Sequence, residues 1–343
     1  MKKLKGVCVG AGYFSQFHYD AWNRLESVAL LAVCDTDLLK AMEIAEKYNI
    51  PNVYSDVTEM LEKENPDFID IITPPASHFA IAKIAAERGV HIICQKPLAP
   101  DIAQALEMQQ YMAKQKVIFA VHENWRFQPW YRQIKIMLDQ HVIGDQVFSM
   151  AFRMRMGDGW GQDAYLGRQP YFREMPRLLI HETGIHFVDT FRFLAGVVKS
   201  VYTKTKRLNN VIKGEDFALT VFDFDNGITA ILEANRYNEP NYQEPRYTFG
   251  EMVIDGSKGT IRLYGDGKIT QQTLGQPEKE VVYKPSKVGF CGDSVYAFQQ
   301  HFVDAMLGNA QLETRLNDYM ANLKVEEAMY ASAVSGMPVE VEY

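Results

Sequence analysis

Cysteine is scarce in this 343-residue chain: there are four, and none forms a CxxC pair. That excludes a disulfide framework and a cysteine-rich zinc module. Cys8, Cys34 and Cys94 each lie in an apolar run that reads as a strand, where they serve as small buried hydrophobes. A reducing compartment, hence the cytoplasm, is the expected location. Also missing is any apolar run of the roughly 20 residues that a membrane span needs. The opening MKKLKGVCVGAGYF has a basic start like a secretion signal, but its apolar stretch is short, and Gln16, His18 and Asp20 soon interrupt it with polar groups. No lysine- or arginine-rich tract occurs and the net charge is -7, which argues against nucleic acid as a partner. Repeats and low-complexity tracts are absent too.

The composition is that of an ordinary globular protein, 47% hydrophobic and 23% charged, on a chain long for a single core. Two domains are therefore expected. In the first third, short apolar runs at 5–9, 28–34, 68–72, 91–94 and 117–121 alternate with amphipathic stretches at 38–48, 77–88 and 102–114. Strands without polar alternation, separated by helices, predict a parallel sheet covered on both faces, a doubly wound α/β domain over 1–122. Beyond it, a helix starting near Pro129 leads into longer runs at 146–156, 198–206, 217–224, 229–236, 247–255 and 260–264. FDFDNGITAILEA reads as a hairpin with positive φ at Asn226 and Gly227. This second α/β domain, 123–343, is predicted to hold an antiparallel or mixed sheet. Phe217, Leu219 and Val221 would face one side, Ala218, Thr220 and Phe222 the other. With helices on one face and a second subunit on the other, a homo-oligomer is expected. Two helices, near 294–307 and 317–335, close the chain and are free to pack back on the first domain.

The sharpest signals lie at strand ends. VCVGAGYFSQFH puts Gly10 and Gly12 directly after the first strand, with Ser15 where a third glycine often stands, and the second strand ends at Asp35. Strand, glycine turn, helix and a carboxylate at the next strand end suit a dinucleotide, the carboxylate accepting from the ribose hydroxyls. That charge repels a 2′-phosphate, so NAD is favoured over NADP. A cap for the helix near Leu38 is the competing role for Asp35. In a doubly wound sheet, ligands sit outside the carboxyl ends of the strands. ITPPASH (72–78) and QKPLAP (95–100) are two such ends: Ser77 is placed to cap a helix, and Lys96 faces the nicotinamide end of the cofactor, able to hydrogen-bond a substrate oxygen. A solvated lysine is the alternative.

In PRLLIHETGIHFVDTFRFLAG (176–196), Glu182 and His186 share one face of a predicted helix, with His186 as proton acceptor and Glu182 as substrate ligand. His181 lies further round the helix, and Asp189 is expected to make a structural hydrogen bond. HETGIH does not match the HExxH zinc pattern, so no metal is expected. HENWRFQPWYRQIK (122–135) gathers aromatics around Arg126, and MGDGWGQDAYLGRQPYF (156–172) is rich in glycine and aromatics, as in loops that line polyol sites.

In combination, the glycine turn, TPPASH, CQKPLA, NWRFQP, ETGIHFVD and the final VEEAMYASAVSGMPVEV resemble the Gfo/Idh/MocA family, of the glucose–fructose oxidoreductase and inositol dehydrogenase type, over essentially the whole chain. The resemblance implies a Rossmann domain, a C-terminal α/β domain with a large open, mostly antiparallel sheet, and homodimers or homotetramers through that sheet. It also implies hydride transfer between a secondary alcohol of a sugar, sugar derivative or cyclitol and NAD(P). Lys96 matches the family's active-site lysine and His186 its proposed base, while Glu182 stands where many members have aspartate. The remaining site residues expected on this pattern are Tyr13, Phe14, Thr73, Pro74, His78, Gln95 and Asn124 for cofactor, and His181, Arg126 and Trp160 for substrate. Two departures stand out: the common Glu-Lys-Pro is Gln95-Lys96-Pro97, and MPRLLIH replaces a glycine-rich run. An enzyme that retains NAD and cleaves glycosides by transient oxidation, and a non-catalytic dinucleotide and sugar sensor, are the competing functions.

Overall fold

The computed structural model describes residues 3–343. The chain divides into two compact units, one of residues 1–124 with 295–320, the other of 125–294 with 321–343.

The first unit begins β1 (Leu4–Val9), α1 (Ser15–Arg24), β2 (Val28–Cys34), α2 (Leu38–Tyr48), β3 (Asn52–Tyr54), α3 (Val57–Glu64), β4 (Phe68–Ile71), α4 (Pro75–Glu87), β5 (His91–Gln95), α5 (Ile102–Met112) and β6 (Phe119–His122). Its six strands are all parallel, in the order β3-β2-β1-β4-β5-β6. The strands are uniform apolar runs because both sheet faces are covered, and Val7, Ile69 and Ile92 are buried completely. The order reverses between β1 and β4, which brings the glycine turn and the end of β4 to the crevice where such sheets bind ligands.

The second unit holds α6 (Pro129–Asp139), β7 (Val147–Arg155), α7 (Ile185–Ala195), β8 (Val198–Lys206), β9 (Phe217–Phe224), β10 (Thr229–Asn235), α8 (Pro245–Thr248), β11 (Glu251–Gly256), β12 (Gly259–Leu263), β13 (Ile269–Thr273) and β14 (Lys279–Glu280). After α9 (Ser294–Met306) and α10 (Leu316–Ser335), β15 (Val339–Glu340) ends the chain. Nine strands run β14-β13-β12-β11-β7-β10-β9-β8-β15, antiparallel except for the β7–β10 pair. The inward residues of β9, Ala218, Thr220 and Phe222, are buried, whereas Leu219 is exposed and Phe217 and Val221 half-buried. Phe187 and Phe191 of α7 and Trp130 and Ile134 of α6 share one apolar core with Phe152, Phe222 and Leu232 of the sheet. On the opposite face Phe148, Leu219 and Ile231 are exposed.

Three local expectations change. The β9–β10 turn uses a positive φ only at Gly227 (+84°), because Asn226 instead donates to the Ala195 carbonyl and accepts from Ile228 N–H. The run 247–255 is not all strand: Pro245 starts α8, and β11 begins at Glu251. The helix over 176–196 is two elements, a π-helical turn, Leu179–Gly184, followed by α7. No helix among the described residues is long and apolar enough to cross a membrane.

Candidate active site

In the first unit the candidate residues gather around the glycine turn. Gly10 has φ +113°, and a Cβ there would lie 2.9 Å from the carbonyl carbon and oxygen of Ile72. Only glycine suits that combination of conformation and close backbone approach. The turn is pinned at both ends: Gly10 N–H donates to the Cys34 carbonyl (2.8 Å), and the Ser15 hydroxyl donates to the Gly12 carbonyl (2.7 Å). Ser15 thus ties the turn to α1 from the position where a third glycine often stands. Asp35 accepts Ala11 N–H at Oδ2 (2.7 Å) and Asp37 N–H at Oδ1 (2.8 Å). It does not cap α2; Asp37 does, accepting from Lys40 N–H.

These residues fit a dinucleotide. The first turn of α1 has no side-chain cap, its Ser15 and Phe17 amides turning back to the Gly12 and Phe14 carbonyls, and nothing stands within 4 Å of where a Gly12 Cβ would be. Tyr13 is exposed and Phe14 half-buried at this helix start, both packed against Phe17. Past β4, Thr73 and Pro74 lead into α4. Ser77 lies inside that helix and donates to the Thr73 hydroxyl (2.7 Å), so the expected capping role gives way to Pro74 at the cap position. His78 is fully buried with both ring nitrogens on carbonyls, Nε2 on Thr73 (2.7 Å) and Nδ1 on Leu98 (3.0 Å). It thereby joins the two loops. Burial holds its pKa below the ordinary histidine value, outweighing the pull of the carbonyls.

Gln95 ends β5 buried, and Lys96 is half-buried beside it. The Gln95 side chain turns inward: Oε1 accepts Lys96 N–H (2.6 Å), and Nε2 meets His18 Nε2 (2.9 Å). Asn124, buried, lies just beyond β6.

The second unit has a constellation of its own. The His186 ring lies parallel to the Trp125 indole, 4.3 Å away with 1° between planes, and is buried. Glu182 stands in the π-helical turn rather than one α-turn below His186. Its Oε2 accepts the Thr183 hydroxyl (2.7 Å) and lies 3.8 Å from Arg236 Nη1. Arg236 is buried, paired through Nε and Nη2 with Asp158, and donates to Thr183 Oγ1 (3.1 Å). Burial opposes the guanidinium charge, but Asp158, Tyr165 and Glu182 together outweigh it and hold its pKa above the usual value.

Two expected substrate ligands have other partners. His181 Nδ1 meets Glu326 Oε1 of α10 (2.7 Å), turned there by the wider π turn. Arg126 grips Asp189 with two bonds (2.7 and 2.6 Å), and Asn322 donates to the same carboxylate. Asp189 thus makes the structural hydrogen bonds expected of it, with Arg126 and Asn322 as donors. Trp160 is 55% exposed on its loop, open to a ligand. Glu215 fastens the start of the π turn by accepting Leu178 and Ile180 N–H, and Tyr330 donates to it.

Arg236, Asp158, Trp125, His18 and Asp70 do not stand out as site residues from the sequence. One of them carries a signal: Ala230, Leu232, Ala234 and Arg236 alternate on the same buried face, which marks an arginine aimed inward. Among the described residues, no three His, Cys, Asp or Glu side chains are grouped to hold a metal ion.

Residues 4–123 match an oxidoreductase family with an NAD-binding Rossmann fold, and residues 131–262 match the GFO/IDH/MocA C-terminal domain. The chain is 31% identical to D-apiose dehydrogenase of Rhizobium rhizogenes, across 99% of this chain and 98% of that one. It is 29% identical to D-apiose dehydrogenase of Paraburkholderia graminis, across 100% of this chain and 91% of that one. An oxidoreductase from Agrobacterium radiobacter, crystallised with NAD+, L-tartaric acid and magnesium, superposes with a TM-score of 0.90 at 30% identity, covering 99% of both chains. With its Rossmann sheet, glycine turn and nine-stranded second sheet, the chain belongs to the Gfo/Idh/MocA family and is an NAD-binding oxidoreductase.

Proposed function

We propose that this protein is an NAD-dependent dehydrogenase of a sugar, sugar derivative or cyclitol, oxidising a secondary alcohol. The observation that carries this is the glycine turn, whose uncapped helix start and anchored Asp35 suit a pyrophosphate and a ribose diol. NAD, when bound, supplies the hydride acceptor. His186 removes the hydroxyl proton, its ring held in plane by Trp125. Lys96 is assigned to hydrogen-bond a substrate oxygen and stabilise negative charge as it develops. Glu182 accepts from further hydroxyls, and Trp160 offers a face for C–H stacking. Arg236 and Arg126 already pair with carboxylates, which favours a neutral polyol over an acid. Two relatives named D-apiose dehydrogenase put D-apiose first in the panel to be tried. The exposed apolar face of the nine-stranded sheet favours a homodimer or homotetramer, and four free, buried cysteines favour the cytoplasm.

The test is NADH formation from a panel of sugars and cyclitols, run in parallel with NADP, which the Asp35 charge disfavours. Lys96→Met and His186→Ala should each lose about 100-fold or more in turnover, with NAD affinity within about threefold. Unchanged turnover in both variants, or no substrate in the panel, overturns the assignment.

A further inference from the structure

Beneath Lys96 runs a chain of buried polar groups that the hydride chemistry leaves unassigned. Asp70, fully buried at the end of β4, accepts through Oδ2 from His18 Nδ1 (2.8 Å) and Trp22 Nε1 (2.7 Å). His18, also fully buried, meets the Gln95 amide through Nε2, and Gln95 Oε1 receives Lys96 N–H. The direction of every bond is fixed from the ends. Lys96 N–H can only donate, so the Gln95 oxygen faces it and the amide NH₂ faces His18. His18 Nε2 must then accept, so its proton is on Nδ1, where the carboxylate takes it. Of the side chains that fit here, glutamine both accepts from Lys96 and donates to an unprotonated Nε2. Glutamate accepts at both ends and would force a second proton onto His18.

Two more observations separate this chain from ordinary core filling. Asp70 Oδ1 is buried without a partner among the described residues, a cost that a purely stabilising network avoids. Around His18, the titratable His122 of β6 lies ring on ring at 4.1 Å, Phe14 meets it edge-on, and Gln299 of α9 donates to its backbone carbonyl. The nearby Cys8 and Cys94 thiols stay protonated, raised by burial and then by the Asp70 charge.

We propose that Asp70, His18 and Gln95 are positioning residues for Lys96, a directional hydrogen-bond relay from a buried carboxylate that fixes the strand end carrying the lysine. This rests on Lys96 serving the reaction, as proposed above. The full-length protein, with ¹⁵N-labelled histidine and His18→Asn to assign the signal, tests it without turnover. His18 should show a protonated Nδ1 and a bare Nε2 in the wild type, and Gln95→Glu should protonate both. In the assay, Gln95→Glu should add an ionisation to the kcat profile, while Gln95→Met should lower kcat about 100-fold with KM and NAD affinity within about threefold. A wild-type His18 with its proton on Nε2 overturns the relay, as does a Gln95→Glu protein with unchanged His18 signals or an unchanged pH profile. Should Gln95→Met not fold, Gln95→Glu decides alone. If the wild type oxidises no sugar, the dehydrogenase assignment falls while the nitrogen signals still decide the relay.

Discussion

Two glycines two residues apart should fail in opposite ways when each becomes alanine. At Gly10 the backbone has φ +113°, and the new Cβ would sit 2.9 Å from the Ile72 carbonyl group and 3.2 Å from Thr73 N, all of it backbone that cannot rotate away. Strain in that region costs about 1–3 kcal/mol, and forcing an extra methyl against packed atoms costs about 1–3 kcal/mol more. A loss of about 2–6 kcal/mol corresponds to roughly 4–24 °C in melting temperature for a unit of this size. At Gly12 nothing lies within 4 Å of the Cβ position and φ is not positive, so Gly12→Ala should melt within about 2 °C of the wild type without ligand. Its defect should appear only with NAD. The methyl occupies the space where backbone approaches the pyrophosphate, and a tenfold weaker affinity is worth about 1.4 kcal/mol. At a concentration 100 times the wild-type dissociation constant, NAD stabilises the wild type by about 2.7 kcal/mol but Gly12→Ala by about 1.4 kcal/mol, halving the thermal upshift. Scanning fluorimetry with and without NAD, backed by titration calorimetry, reads both effects. A Gly12→Ala protein that binds NAD like the wild type, or that melts early without it, would refute the placement of the phosphates.

Two further outcomes concern features away from that turn. Burial depresses the His78 pKa, so the folded protein keeps the ring neutral while the unfolded chain takes up a proton below about pH 6.5; stability therefore falls as pH drops through that value. His91 is depressed by burial as well, so His78→Gln should make the acid loss in urea midpoint shallower without abolishing it, and equal slopes would contradict the assignment. On the open face of the nine-stranded sheet, Ile231→Lys should shift the mass seen by light scattering from an oligomer to the single chain; a wild-type monomer would remove the proposed interface.

The first unit was legible because its grammar is local. Parallel strands buried on both faces appear as uninterrupted apolar runs, and α2 coincides with the amphipathic stretch 38–48. The second sheet was legible at its centre and not at its edge, where β13, Ile269–Thr273, carries the polar sequence ITQQT. The site was harder. Placing Glu182 and His186 on one face assumes α-helical spacing, which the π turn breaks. Arg126 looks like a ligand because Asp189, which neutralises it, lies far along the sequence. Gln95 is visible as a departure, but its consequence depends on His18 and Asp70, brought to it by α1 and β4 through tertiary packing alone.

The first unit is sewn from two distant lengths of chain. Phe302 of α9 meets Phe68 edge-on, Phe298 packs on His122, and the Thr314 carbonyl takes the amide of Val121 on the border strand β6. Translation therefore delivers strands β1 to β6 well before α9 and leaves this unit unfinished until residues 295–320 have emerged. A nascent chain arrested before residue 295 would carry a bare strand border, an invitation to wrong pairing that chaperones would have to shield.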